Sequence, residues 1–533
     1  RGPDKSDFLK ISELFDLYLG FHRLAIMDTS SNGDQPFKVE YENRTIYCVC
    51  NGEIYNYKDL IKKYDLQLSS NSDCEVIPLL YLKIGMHLTV TELLGEFAFS
   101  IIDINHLNKI TTIILGRDPI GIRPLYIGED ENGICFSSVK RGFISDFDTK
   151  HSEYIIKNNI REFEPGTFMT FNIQNDGDIN HTNTRYYWYN YNMKFTNLEE
   201  VKQLVRDTLI KSVTDRMMSD VPLGALLSGG LDSSLICSIS QKYLDNFGLK
   251  LKTFSIGMPG ATDTEYAQKV ADHIGSDHTH IELEESQFVE AIRDVIKTSE
   301  TFDITTIRAT TGQYLASKWI KENTDIKVLL IGDGADELCG GYLYFHKAPN
   351  PTEFHEENLK LLKSIHQFDV LRADRGVASN GLEARVPFLD KRFVDLYMSI
   401  DPCLRVPTEG IEKWLVRSAF EDGDYLPHEV LFRRKEAFSD GVSGTRRSWH
   451  HIIQELAETL YSDENYKEEY EKIDYYPPPS KEALYFRKMF QILFGNGDIC
   501  KAMEYGIWLP NWVGNVTEPS ARVLDDIYTE YEC

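Results

Sequence analysis

Along residues 1–185, short runs in which apolar and polar positions alternate are separated by turns rich in Gly, Asn and Asp, the pattern of half-buried β-strands. Stretches 45–49, 97–103, 111–115 and 167–173 read as strands, while 57–64 and 75–83 carry the clearest helical periods. This predicts a sheet-rich α/β domain over 1–185. The aromatic run Tyr186-Tyr187-Trp188-Tyr189 and the polar residues after it mark a linker, and a second domain is expected over 197–533.

From residue 198 the period changes. Helical patterns at 198–217, 233–244, 264–274, 288–299 and 310–323 alternate with apolar strand runs at 224–227, 251–256 and 327–331. Strands alternating with helices imply a parallel, doubly wound sheet whose ligand sits at the carboxyl ends of the strands. The remainder reads as mostly helical, broken at Pro477-Pro478-Pro479, and ends in an acidic tail. No stretch of eighteen or more apolar residues occurs, so no membrane-spanning helix is expected.

Composition adds three constraints. A chain of 533 residues exceeds one hydrophobic core and should divide into domains. The 83 acidic against 57 basic residues give a net charge of −26, a field that repels nucleic acid and anionic membranes, so neither is an expected partner. Nine unevenly spaced cysteines without a paired CxxC fit a reducing compartment, here the cytoplasm, better than a disulfide framework or a zinc site. Cys48 and Cys50 alternate along a strand pattern and read as small core residues.

The candidate chemistry centres on Ser228-Gly229-Gly230-Leu231-Asp232-Ser233-Ser234, which follows an apolar strand and opens a helix. Such a turn aims backbone N–H groups and the positive end of a helix dipole at one spot, and so cradles phosphate. Asp232 could carry a Mg2+ ion over it. A second glycine turn, Ile331-Gly332-Asp333-Gly334-Ala335-Asp336-Glu337, also leaves a parallel strand, so Asp232 and Asp336 could share that metal. Thr305-Thr306-Ile307-Arg308 offers hydroxyls beside a guanidinium fork, suited to an amino-acid carboxylate. Lys435 lies in a basic island of an acidic chain, placed to stabilise charge on a reacting phosphate. In the first domain, Arg23 suits an α-carboxylate, Glu53 and Asp73 an α-ammonium, and Asn51 with Gly52, at an expected tight turn, a developing oxyanion.

These elements occur in one collinear series with RGPD at residues 1–4, HRLAIMD at 22–28, NGEIYN at 51–56, SDCEV at 72–76, GRDPIGIRPLY at 116–126, LLSGGLDSS at 226–234, TTIRA at 305–309, GGYLYFHKAP at 340–349, EARVPFLD at 383–390 and KEAFSDGV at 435–442. The series resembles the glutamine-hydrolysing asparagine synthetases of bacterial and plant type. That resemblance implies an αββα sandwich of the N-terminal-nucleophile glutaminase class joined to a doubly wound ATP-pyrophosphatase domain. It also implies that ammonia from glutamine passes to a second site, where aspartate and Mg-ATP form β-aspartyl-AMP. By motif position, Leu24, Ala25, Ile26 and Met27 would join Arg23 in holding glutamine. Leu226, Ile256, Ile331 and Gly332 would line the nucleotide pocket, and Thr305 with Arg308 would face aspartate. The implied partners are small molecules: aspartate, glutamine or ammonia, and ATP. A homodimer is compatible with them.

Two departures qualify the resemblance. The family nucleophile is an N-terminal cysteine preceding RGPD, and this chain begins at RGPD, so the chain as it stands is expected to lack glutaminase activity through truncation. In the second turn Ile331 and Asp333 replace the family's Ser and Glu, and the shorter carboxylate of Asp333 is expected to act as the catalytic acid–base group at some loss of reach. Two alternatives are a β-lactam-forming relative, which TTIRA and YLYFHKAP argue against, and a non-enzymatic nucleotide-binding relative.

Overall fold

A computed structural model describes residues 1–12, 16–130, 133–143, 160–174, 177–444, 447–495 and 509–514; the acidic tail beyond 514 lies outside them. Strands β1 (Lys5–Ser12) and β2 (Leu17–Arg23) pair as a hairpin. A six-stranded antiparallel sheet runs β11-β10-β6-β5-β4-β3, built from β3 (Phe37–Tyr41), β4 (Arg44–Ile54), β5 (Gly95–Asn105), β6 (Ile110–Arg117), β10 (Thr167–Ile173) and β11 (Ile179–Arg185). A third sheet holds β8 (Gly133–Ser137), β7 (Tyr126–Asp130) and β9 (Arg161–Glu162).

Alternation sorts β5 onto two cores. Phe97, Phe99 and Ile101 face a core shared with helices Tyr57–Tyr64 and Val76–Ile84, whereas Ala98 and Ile102 face a core with Leu19 of β2 and Ile127 of β7. The larger sheet thus lies between helices and a second β layer. Cys48 and Cys50 pack into the helical side, as expected of small core residues.

The second half is α/β. Strands β12 (Leu223–Leu226), β13 (Lys252–Gly257), β14 (Asp277–Glu282), β15 (Val328–Leu330) and β16 (Glu383–Arg385) form a wholly parallel sheet in the order β14-β13-β12-β15-β16. Crossover helices include Leu231–Asp245, Asp263–Ile274 and Ile304–Asn323. The order places β12 and β15 side by side at the centre, so the turns that leave them open at neighbouring points of one sheet edge.

The two halves share a packed boundary. Val328 of β15 belongs to the first half's core. The aromatic run read as a linker is built into this boundary: Tyr187 is buried, and its hydroxyl donates to Asp395 at 2.7 Å. Among the described residues no helix is long and apolar enough to cross a membrane.

Candidate functional site

β12 ends at Leu226, and the chain turns through Ser228, Gly229 and Gly230 into the helix Leu231–Asp245 with Gly230 as its N-cap. Gly229 has φ +77°, and a Cβ there would come within 2.5 Å of the Ala267 backbone nitrogen, so only glycine lets this loop pass the neighbouring helix. Ser228 and Ser233 hydroxyls lie 3.0 Å apart across the turn. Ser234 is fully buried in the helix and stands apart from the cavity lining.

That lining encloses about 460 Å³ at the carboxyl edge of the parallel sheet. It brings together Leu226, Ser228, Gly230, Asp232, Ser233, Ile256, Thr305, Arg308, Ile331, Gly332, Asp333, Asp336 and Lys435, residues that lie as far apart in the chain as positions 226 and 435. Gly229 shapes the loop from behind.

Asp232 and Asp336 do face one another, and the group between them is the ammonium of Lys413. Its Nζ lies 2.9 and 2.6 Å from the Asp232 carboxylate oxygens and 2.6 Å from Asp336 Oδ1, while Lys435 Nζ donates to Asp336 Oδ2. Burial pushes the Asp336 carboxyl upward, but Lys413 and Lys435 outweigh it and hold the group well below the usual carboxylate range. Burial likewise lowers Lys413, and the two aspartates more than offset that and raise it. The result is a cluster of two anions and two cations in which Lys413 is buried and Asp232, Asp336 and Lys435 are partly exposed toward the cavity. Lys413 carried no sequence signal; it follows an ordinary turn, in αL conformation, before the short helix Trp414–Ala419.

Asp333 is gripped by two residues the sequence did not single out. Arg372 reaches its Oδ1 at 2.8 Å and Gln313 donates to Oδ2 at 2.9 Å, and Arg372 also pairs with Asp369 at 2.6 Å. Ile331, with a buried apolar side chain, donates its backbone N–H to the Arg385 carbonyl at 3.0 Å. Thr305 and Arg308 lie in the opening turns of the helix Ile304–Asn323, which starts six residues before the predicted 310 because Asp303 caps it by accepting from Thr306 N at 2.7 Å. Arg308 forms a bidentate pair with Glu482, another residue without a sequence signal.

In the first half, Asn51-Gly52 is strand rather than the expected tight turn. Both sit inside β4, opposite Ala98 and Phe97 of β5, and a Cβ on Gly52 would strike the Glu96 carbonyl at 1.9 Å. Asn-Gly favours hairpins only where no partner strand claims it. Glu53 and Asp73 are both buried beside this strand, Asp73 accepting from Ile54 N at 2.5 Å. Burial, with the charges of Asp73 and Glu383, pushes the Glu53 carboxyl well up, and burial raises Asp73 to about 6. Asn51 Nδ2 and Glu53 Oε2 are buried without a hydrogen-bond partner, Oε2 facing the Arg385 guanidinium at 3.6 Å.

Arg23 is placed differently. Its guanidinium donates to the carbonyls of Met27, Asp28 and Ser30 and to Asp34 Oδ1 at 2.7 Å, so the loop carrying Leu24, Ala25, Ile26 and Met27 wraps around it. Ala25, Ile26 and Met27 are buried; Leu24 is partly exposed. No hydrogen bond among the described residues joins Arg23 to Glu53 or Asp73. The guanidinium nearer Asn51 is that of Arg1, at 3.5 Å from Oδ1.

Comparison with known proteins adds a family to this geometry. The family model for asparagine synthase matches residues 204–360 and 349–496, and that for a glutamine amidotransferase domain matches 1–188. Proteins named asparagine synthetase (glutamine-hydrolyzing) from Cricetulus griseus and Homo sapiens are each 39% identical over 541 residues, covering 98% of this chain and 94% of each relative. A probable asparagine synthetase (glutamine-hydrolyzing) of Acanthamoeba polyphaga mimivirus is 39% identical over 545 residues with the same coverage. With both halves matched in order and nearly the whole length aligned, the chain belongs to the glutamine-hydrolysing asparagine synthetase family.

Proposed function

We propose that this chain makes asparagine in two steps at the cavity over the parallel sheet, using ammonia, which glutamine hydrolysis in the first half supplies when the family's N-terminal cysteine is present. The aspartate side-chain carboxylate attacks the α-phosphorus of ATP, giving β-aspartyl-AMP and releasing pyrophosphate. Ammonia then forms the amide bond as AMP departs, and one nitrogen proton passes to a base. The observation that carries this reading is the meeting of Asp232 and Asp336 from two glycine turns above the phosphate cradle, with Lys413 and Lys435 against them.

Ser228, Gly230 and Ser233 take the pyrophosphate moiety through amides and hydroxyls, with Gly229 shaping the loop and Ser234 buried in the helix behind it, and Leu226, Ile256, Ile331 and Gly332 hold the adenosine side. Asp232 and Asp336 would hold Mg2+, which supplies charge neutralisation on the phosphates when bound. Two carboxylates are a donor set that Mg2+ accepts, its other ligands coming from phosphate and water, but Lys413 and Lys435 contact all four of their oxygens in this structure, so the ion would take the place of an ammonium contact. Lys435 stabilises charge on the reacting phosphate, Thr305 and Arg308 orient aspartate, and Asp333 accepts the proton from ammonia. Glu53 and Asp73 receive the ammonium of glutamine and Asn51 with Gly52 its oxyanion, while Arg23 and residues 24–27 shape that pocket.

We further divide the chain into a glutaminase domain over 1–185 and a synthetase domain over 197–533, place it with the bacterial and plant type, and expect a cytoplasmic enzyme, a homodimer being compatible, with no nucleic-acid or membrane partner. Seven free cysteines among the described residues and the acidic surface charge support that setting. The test is incubation with Mg-ATP, aspartate and ammonium, following pyrophosphate and asparagine. Both products are expected in equal amounts; pyrophosphate without asparagine removes the second step, and neither product removes the reading.

A further inference from the structure

Arg308 and Glu482 line one wall of the cavity, yet they are only 4% and 2% exposed. Arg308 Nε meets Oε1 at 2.8 Å and Nη2 meets Oε2 at 2.6 Å, the two parallel contacts of a fork on a carboxylate. The glutamate arrives from the far end of the chain, as the second residue of the helix Lys481–Phe494, and Pro479 and Ser480 before it line the same cavity. Ser480 caps that helix by accepting from Ala483 N at 3.1 Å, and Trp449 Nε1 donates to the Arg308 carbonyl at 3.1 Å. Both partners are therefore fixed by their own elements.

A guanidinium alone binds any carboxylate, with or without an amine beside it. An adjacent fixed anion changes that preference, because it attracts an ammonium and repels a second carboxylate. Glu482 carries the anion of the pair at the cavity wall, and an ammonium there would be drawn to that charge. The pair is neutral overall, with its charges ordered, and its complement is a molecule that is neutral and oppositely ordered: the zwitterionic end of an α-amino acid. We propose that Arg308 and Glu482 read the substrate aspartate as a zwitterion, Arg308 taking its α-carboxylate and Glu482 its α-ammonium. This leaves the side-chain carboxylate for the phosphate. The inference rests on the reading that aspartate occupies this cavity, and it makes Glu482 the residue that selects an α-amino acid over a plain dicarboxylate.

Glu482→Gln keeps the shape and removes the charge. With pyrophosphate release as the readout, KM for aspartate should rise about 10- to 100-fold while kcat changes far less, as expected for a lost charge-assisted hydrogen bond in binding. The Ki of succinate, the same dicarboxylate without the amine, should hold or fall in that variant, and Glu482→Asp should recover part of the aspartate affinity. Equal weakening of aspartate and succinate would show that Glu482 only orients Arg308 and would overturn the proposal, as would an unchanged KM. If Glu482→Gln fails to fold, the unaltered chain decides: aspartate bound at least about 10-fold tighter than succinate supports the zwitterion site, and equal binding overturns it. Absence of aspartate-dependent pyrophosphate release from the unaltered chain would instead count against the functional reading.

Discussion

Asp333 is held from two sides, by Arg372 and Gln313, so its carboxylate has a defined position although it is one methylene shorter than the family's glutamate. Asp333→Ala should cut asparagine formation from saturating ammonia by about a hundredfold or more, the usual size of a lost acid–base group. Asp333→Glu should hold or raise the rate. An Ala variant with unchanged synthesis, measured by asparagine yield, would place the base elsewhere. Asp73 poses a different test. Burial raises its carboxyl from 3.8 to about 6, so the folded chain binds the extra proton between those values. Stability from this group is therefore greatest at low pH and declines as pH rises toward 6, whereas an ammonium needs the ionised form. Glutamine binding, followed by calorimetry, should weaken as pH falls through about 6, and Asp73→Asn should weaken binding at neutral pH and remove that inflection. Why Lys413, Arg372 and Glu482 escaped sequence reading is physical: a lone Lys, Arg or Glu in a helical or turn pattern is the commonest kind of solvated surface residue.

At the level of elements, strands 167–173 and helices 57–64 were legible because their periods are long and unbroken. β14 and β16 were not. β14 reads Asp-His-Thr-His-Ile-Glu and β16 reads Glu-Ala-Arg, polar strings that become strands because a parallel neighbour supplies their hydrogen bonds. The early start of helix Ile304–Asn323 was hidden by Thr305, Thr306 and Ile307, β-branched residues that lower helix propensity, and was decided by the Asp303 cap. The phosphate loop combines a conformational and a packing requirement at Gly229. Gly229→Ala should lower stability by about 1–3 kcal/mol for the left-handed backbone alone, and more from the clash with Ala267. Urea unfolding should report that loss, and ATP should protect the variant less than the unaltered chain. Equal ATP protection would separate this loop from nucleotide binding.

Across the whole molecule, buried ions join the two halves. Glu96 of β5 is fully buried and meets Arg216 at 2.8 Å and Arg123 at 3.2 Å, with Val386 N donating at 3.2 Å. Arg123 continues to Glu383 at 3.4 Å, Glu383 pairs with Arg385 at 2.8 Å, and Arg385 reaches Glu53 beside the first-half site at 3.6 Å. Glu96→Ala should destabilise the chain by about 3–5 kcal/mol, since it removes the anion shared by two buried guanidinium groups and leaves Arg123 to Glu383 and Asp374 and Arg216 to Asp390. Urea unfolding should show the loss in both halves together; a loss confined to the first half would mean that the boundary carries little coupling. This network was invisible in sequence, because its members lie up to about three hundred residues apart and each alone reads as a surface charge. What the amino-acid order determined by itself was local: which stretches alternate with period two or near four, where glycine turns leave strands, and which motifs stand in series. Only the tertiary structure decided which charges share a site. Lys413 between Asp232 and Asp336, Glu482 on Arg308 and Arg372 on Asp333 are pairings set by the order of five parallel strands and the return of late helices over their ends, and burial then makes each pairing obligatory.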